Sequence, residues 1–235
     1  MNESSSKIHR SLEKGIGPKK ITGAVPQDDI QNWARELAGT ILSFDNPETL
    51  TSCLTEAVGG LADQINSVEI AVTGIGWLGS GIPSVERTME QLFAEAKREI
   101  MLTAYSLTSG FDRICRSLNR AASTGIRCVT VVNQLDEQRS EAAENLKNLA
   151  MNHPANFELH DFAVAEDSEG LHAKTCVVDR KSALVGSANL SRRGLVTAHE
   201  MAVLVRGPAA EQVADCIDRL LHYPSVSRIQ PGAGL

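Results

Sequence analysis

GLHAKTCVVDRKSALVGSANLSRRGL, residues 170–195, sets a histidine, a lysine and an aspartate into a hydrophobic strand pattern and then breaks at a turn of small residues. His172 and Lys174 are two apart, so on an extended strand both side chains leave the same face and converge on one ligand. Asp179 closes that strand. A second one, SALVG, runs into Gly186-Ser187-Ala188-Asn189, where Ser187 and Asn189 again share parity. An ammonium, an imidazole, a hydroxyl and an amide together are what a tetrahedral phosphate needs. Imidazole is nucleophilic near neutral pH and can attack phosphorus while the cation and the neutral donors hold the non-bridging oxygens. Displacement is in line, so the same imidazole cannot also protonate the departing alcohol on the far side in that step. A second copy of the site is required, and the motif occurs once in this chain. A bare His-x-Lys pair is usually a solvated strand face, and Asp179 also suits a simple turn; the complete pattern is what carries the phosphate reading.

Outward from this motif, strands and helices alternate. VEIAVTG, EIMLTAYS, IRCVTVV, NFELHDF, HAKTCVVD, SALVGS and EMAVLV are short β-branched and apolar runs. Between them lie helix-length amphipathic stretches: SVERTMEQLFAEAKR, FDRICRSLNRAASTG, DEQRSEAAENLKNLA and PAAEQVADCIDRLLHY. The alternation predicts an α/β domain over residues 68–235, a mixed β-sheet flanked by helices. Ahead of it, residues 27–67 predict a small helical subdomain. Ile30, Trp33, Leu37, Ile41 and Phe44 recur at helical steps, and a second helix starts with Asn46 as N-cap and Pro47 at its first position, stopping at Gly59-Gly60. Residues 1–26, polar and without periodicity, predict a flexible or loosely docked arm.

Composition narrows the function classes. A 235-residue chain that is 42% hydrophobic can bury an ordinary core. No apolar run is long enough to span a bilayer and the N-terminus lacks an apolar signal segment, so the expected location is cytoplasmic, with no membrane partner. A net charge of −6 argues against an extensive basic surface for nucleic acid, although the part after residue 85, with 17 basic and 19 acidic residues, can hold a local basic groove. The five cysteines are scattered and flanked by apolar residues, which suggests neither a disulfide framework nor a zinc site, and Cys176 reads as packing. His153, His160 and His199 are not spaced as metal ligands and read as solvated or satisfied. Arg192 and Arg193, just beyond the motif, suit contact with a polyanion. TGIGWLGSGIPS, residues 73–84, matches no nucleotide-binding loop; it reads as a flexible loop near the site, with Trp77 available to stack on a base.

His172-x-Lys174-x4-Asp179-x6-Gly186-Ser187-x-Asn189 resembles, without gaps, the HKD signature and trailing GSxN of the phospholipase D superfamily. The resemblance spans roughly residues 68–222. It implies that His172 is the nucleophile of a phosphodiesterase, that Lys174, Ser187 and Asn189 bind the phosphate, and that Asp179 belongs to the catalytic motif as an orienting or structural carboxylate behind the site. Glu200, opening the strand after the motif, would hydrogen-bond the catalytic imidazole; a pairing with Arg192 is the competing reading. The family uses no metal or other cofactor for this step, and its single-motif members form homodimers with the active site at the two-fold axis. Among family activities, the short chain and single motif favour a nuclease acting on DNA, single strands included, over a phospholipid-cleaving or phosphatidyl-transferring enzyme. The overall layout, with VGSANLSRRGL and VLVRGP, also resembles the phospholipase D-like component of bacterial DISARM anti-phage systems. That implies other defence-system proteins as partners and admits an accessory, nucleic-acid-binding subunit whose HKD site is unused.

Overall fold

The structure, a computed structural model, describes residues 3–16, 27–62, 66–77, 79–108, 110–163 and 170–230. It divides into two units, residues 1–66 and 67–235.

The described residues of the first unit form three helices: α1 (Glu3–Ile16), α2 (Gln27–Leu42) and α3 (Pro47–Ala62). Residues 3–16, part of the expected flexible or loosely docked arm, form helix α1. Ile8 and Leu12, four apart and hence on one face, are buried with Cys53 and Ala57 of α3, and the Trp33 indole N–H donates to the Ser11 carbonyl. A 14-residue polar helix is marginal alone, and the burial of Ile8 and Leu12 against α3 is what stabilises it. Residues 17–26 of the expected arm lie outside the described residues, as does the side chain of Ile30. The Asn46 side chain accepts from the Glu48 and Thr49 N–H groups at 2.8 and 3.4 Å, with Pro47 at the first helical position, as its cap chemistry predicts. Helix α3 then continues through Gly59-Gly60 to Ala62, where a stop was expected; glycine weakens a helix interior without ending it.

The second unit is an eight-stranded mixed sheet. Its elements are β1 (Ser67–Thr73), α4 (Val85–Glu95), β2 (Glu99–Ala104), α5 (Asp112–Ser123), β3 (Arg127–Asn133), α6 (Glu141–Asn152), β4 (Phe157–Phe162), β5 (Thr175–Val178), β6 (Ser182–Gly186), β7 (Glu200–Arg206), α7 (Pro208–Leu221) and β8 (Val226–Arg228). The strand order is β1-β7-β6-β5-β2-β3-β4-β8. Only β2, β3 and β4 are mutually parallel, each pair joined by a crossover helix; every other pairing is antiparallel. Helices α4, α5 and α6 bury Leu92, Ile114, Leu118 and Leu146 against Ile100, Leu102, Cys128, Cys176 and Leu204 on one face. Helix α7 covers Met101, Val129, Val177 and Ala183 on the other with Ala210, Ala214 and Ile217. The alternation of β5 is thus used twice, with Cys176 and Val178 toward one layer and Val177 toward the other. Cys176 is packing, as its strand neighbours predict, and burial pushes its thiol pKa well up. The short edge strand β8 was not anticipated; three residues carry too little pattern to show. No described helix is long and apolar enough to cross a membrane.

The β5–β6 connection explains Asp179. Asp179 and Arg180 have φ of 52° and 59°, left-handed as a tight hairpin turn requires, and aspartate tolerates this better than most residues. The Asp179 carboxylate accepts hydrogen bonds from the backbone N–H groups of Lys97, Arg98 and Glu99 at 2.9, 2.8 and 2.9 Å, pinning the start of β2 to the hairpin. Arg180 beside it binds Glu99 and both Asp215 and Asp218 of α7. Burial alone would raise the Asp179 pKa, but the N–H donors of Glu99, Arg98 and Lys97 outweigh it and hold the carboxyl below its ordinary range. Replacing it by alanine should cost about 1–2 kcal/mol, the lower end for unpaired backbone donors because solvent reaches part of this corner. A folded-state pKa below the unfolded one means that this stability is fully present above about pH 4 and disappears as pH falls through the folded value. Urea unfolding of wild type and Asp179→Ala should therefore differ at pH 7 and converge in acid.

Candidate active site

The residues of the predicted site gather where β2 and β3 finish and β5 begins. Strand β5 starts at Thr175, so His172 and Lys174 sit on its lead-in instead of within the regular strand, although a Gly186 N–H to Lys174 carbonyl bond of 3.2 Å extends the ladder by one step. Two side chains, of Asn133 and Thr103, fix this lead-in, and a third, of Gln138, ties together the strand ends that carry them. The Asn133 side chain, buried at the end of β3, accepts from the Leu171 N–H at 2.8 Å. The Thr103 hydroxyl donates to the Ala173 carbonyl at 3.0 Å and accepts from the Thr175 N–H at 3.1 Å. Gln138 spans the ends of both parallel strands, donating to the carbonyls of Asn133 and Tyr105 and accepting from the Leu107 N–H.

With the backbone held, the predicted pair converges. The Lys174 ammonium lies 3.3 and 3.4 Å from the two imidazole nitrogens of His172 and donates to the His172 carbonyl at 2.7 Å. Tyr105 completes the cluster: its ring meets the imidazole edge-on at 4.5 Å and the ammonium stands 5.1 Å from its centroid. Tyr105 was missed in the sequence, yet the rule that ligands bind outside the carboxyl ends of parallel strands points to the residue just after β2. Partial burial lowers the Lys174 pKa, and the nearby Glu200 carboxylate opposes that shift.

Ser187 and Glu200 meet each other. The Ser187 hydroxyl donates to the Glu200 carboxylate, and the Ser187 N–H donates to the Met201 carbonyl at 3.1 Å. Neither His172 nor Arg192, the partners weighed for Glu200, takes that place in the single chain, because β6 lies between β7 and β5 and brings Ser187 up first. The Gly186 position permits it: a Cβ there would stand 2.5 Å from that of Ala202. Asn189, Glu200, Arg192, Arg193 and His199 line one open groove with Thr108, and the Asn189 side-chain oxygen is buried without a hydrogen-bond partner among the described residues. Asp179 is not in this assembly. It lies at the opposite end of β5, about 13 Å along the strand from Thr175, so its part in the catalytic motif is to hold β5 and β2 in register.

Trp77 lies beside the groove, its ring edge against that of His199. His153 bonds Asn119 and His160 is buried next to Glu158, both away from the site. Among the described residues no three His, Cys, Asp or Glu side chains gather as metal ligands.

A mixed sheet between two helical layers, with a histidine and a lysine delivered to one point and a GSxN loop beside them, is the architecture of a phosphodiester-transfer domain. The chain belongs to the PLD-like family described as "Cardiolipin synthase, PLD-like domain", whose pattern matches residues 89–221, more than half of the sequence. It is also similar to the DISARM protein DrmC of Bacillus paralicheniformis, 27% identical over 144 residues that cover 61% of this chain and 59% of that protein, less than two thirds of its length. Among solved structures, the fold is like that of Nuc from Salmonella typhimurium, a phospholipase D family member (TM-score 0.56, 20% identity, 71% of this chain and 99% of that one). NucT from Helicobacter pylori (0.54, 15%, 69% and 100%) and the phosphatidylserine synthase of Haemophilus influenzae (0.54, 12%, 95% and 53%) share it.

The charge balance at Lys174 can be measured directly. Glu200→Gln removes the one nearby charge that favours the ammonium, so Lys174 should lose its proton at lower pH than in wild type, as read by NMR titration of its ε-carbon.

Proposed function

We propose that this chain is a metal-independent phosphodiesterase that cleaves DNA, single strands included, through a phosphohistidine intermediate, as a homodimer serving anti-phage defence. The observation that carries the reading is the convergence of His172 and Lys174 on one point, with Tyr105 behind them. An imidazole nitrogen of His172 forms a bond to phosphorus as the bond to the leaving sugar oxygen breaks, and Lys174 and Asn189 hold the non-bridging oxygens. The His172 of a second copy supplies the proton to that oxygen from the opposite side. Water then attacks the phosphohistidine and returns its proton to that second imidazole, and the N–P bond breaks to restore the enzyme. Ser187 can serve the phosphate only by exchanging its hydrogen bond to Glu200, which frees the carboxylate to turn to an imidazole.

The nuclease reading draws support from the fold shared with Nuc and NucT, and the defence reading from similarity to DrmC. The family description and the phosphatidylserine synthase neighbour favour a second reading, phosphatidyl hydrolysis or transfer. Both use the same residues, so substrates decide between them. Single-stranded DNA and bis(p-nitrophenyl) phosphate should be hydrolysed in excess chelator, and His172→Ala should reduce the rate at least about a thousand-fold. Loss of activity on chelation would overturn the metal-free mechanism, and turnover of phospholipid but not DNA would select the second reading. Light scattering should give a dimer at working concentration; an active monomer would sink the shared site.

A further inference from the structure

The glycine-rich segment after β1 is built around His199. The Gly76 N–H donates to the Nε2 of His199 at 3.1 Å, so that nitrogen is the acceptor and the neutral ring carries its proton on Nδ1. A Cβ on Gly76 would stand 2.8 Å from Nε2, and one on Gly74 would stand 2.7 Å from the Ala198 carbonyl oxygen; only bare backbone leaves the imidazole room. Trp77 then meets this ring edge-on, with centroids 6.3 Å apart and planes at 70°. The pairing of Thr73 with Glu200 places the whole arrangement next to the Glu200 carboxylate. Trp77 remains 37% exposed, a large apolar ring kept at the surface, and His199 lines the same groove as Asn189, Arg192 and Arg193.

Two aromatic rings fixed at the side of a groove with two guanidinium groups suit a ligand that alternates flat π-faces with negative charges. We propose that Trp77 and His199, held by the Gly74-x-Gly76 cradle, form a subsite for a nucleobase flanking the reacting phosphate. This deepens, and rests on, the reading of the chain as a nucleic-acid phosphodiesterase. The Trp77 face stacks the base, the Nδ1–H of His199 donates to a base or sugar oxygen, and Arg192 and Arg193 hold the neighbouring phosphates. A base stacked within a duplex cannot enter, so the subsite selects single strands.

The test reads binding, apart from turnover. In the His172→Ala background, a fluorescein-labelled oligothymidylate should bind about ten-fold more tightly than an abasic phosphodiester of the same length, as one stacked base predicts. Trp77→Ala should abolish that difference while leaving abasic affinity unchanged, which also shows that the groove is still folded. His199→Gln, which keeps an acceptor for the Gly76 N–H but removes the ring, should reduce the difference in part. Equal binding of both ligands by the parent, or equal weakening of both by Trp77→Ala, would overturn the proposal. So would binding to phosphatidylglycerol vesicles that depends on Trp77 without any base dependence, which would make the exposed ring a bilayer contact. Failure of the nuclease reading is separate, since it would appear as no cleavage of either oligonucleotide by the wild-type protein.

Discussion

Strand β5 runs antiparallel to β2 at the edge of the parallel block, and one hydroxyl secures the seam. Thr103 donates to the Ala173 carbonyl and accepts from both the N–H and the hydroxyl of Thr175, so its single proton and both lone pairs tie the segment on either side of Lys174 to the end of β2. Asp179 secures the other end of the same strand to the start of β2 through three backbone N–H groups. Between these clamps the four residues of β5 are buried or nearly so, and register cannot slip without turning Cys176 and Val177 into the wrong layers. The direction of His172 and Lys174 follows from that register. The three residues of one sequence motif therefore occupy two places: His172 and Lys174 converge at one point, and Asp179 helps to fix where that pair points.

An acidic protein that handles phosphate must separate its charges. Much of the carboxylate is committed at the far end of the sheet, where Arg127 and Arg180 bridge Glu99, Glu158, Asp215 and Asp218. At the end that carries His172 the basic groups include Lys174, Arg192 and Arg193, and the charge of Glu200 there is engaged by Ser187. A net charge of −6 thus says little about the field at the groove, because a phosphate responds to charges within roughly a Debye length, about 8–10 Å at ordinary salt.

The fold was legible wherever local pattern and tertiary demand agree. Seven of the strands carry short runs of apolar or β-branched residues, and Asn46-Pro47 caps α3 by chemistry that needs no partner. It was illegible where stability comes from elsewhere in the chain. Helix α1 carries few apolar residues, and Ile8 and Leu12 are buried only because Cys53 and Ala57 lie opposite; β8 exists because β4 offers a free edge. At the site, His172, Lys174 and Asn189 are written as a spacing, but Tyr105, Asn133, Gln138 and His199 come from four other segments.

By itself the sequence determined the chemistry on offer: an imidazole and an ammonium two residues apart, a small-residue turn with an amide, and one copy of each. Those properties follow from residue type and strand periodicity, which are local. Only the tertiary structure decided that Asp179 clamps a hairpin away from the groove, that Glu200 meets Ser187 before any imidazole, and that Gly74 and Gly76 make room for His199. Each of these depends on which strands lie side by side. That order, β1-β7-β6-β5-β2, joins residues more than a hundred positions apart through hydrogen bonds that no local pattern encodes.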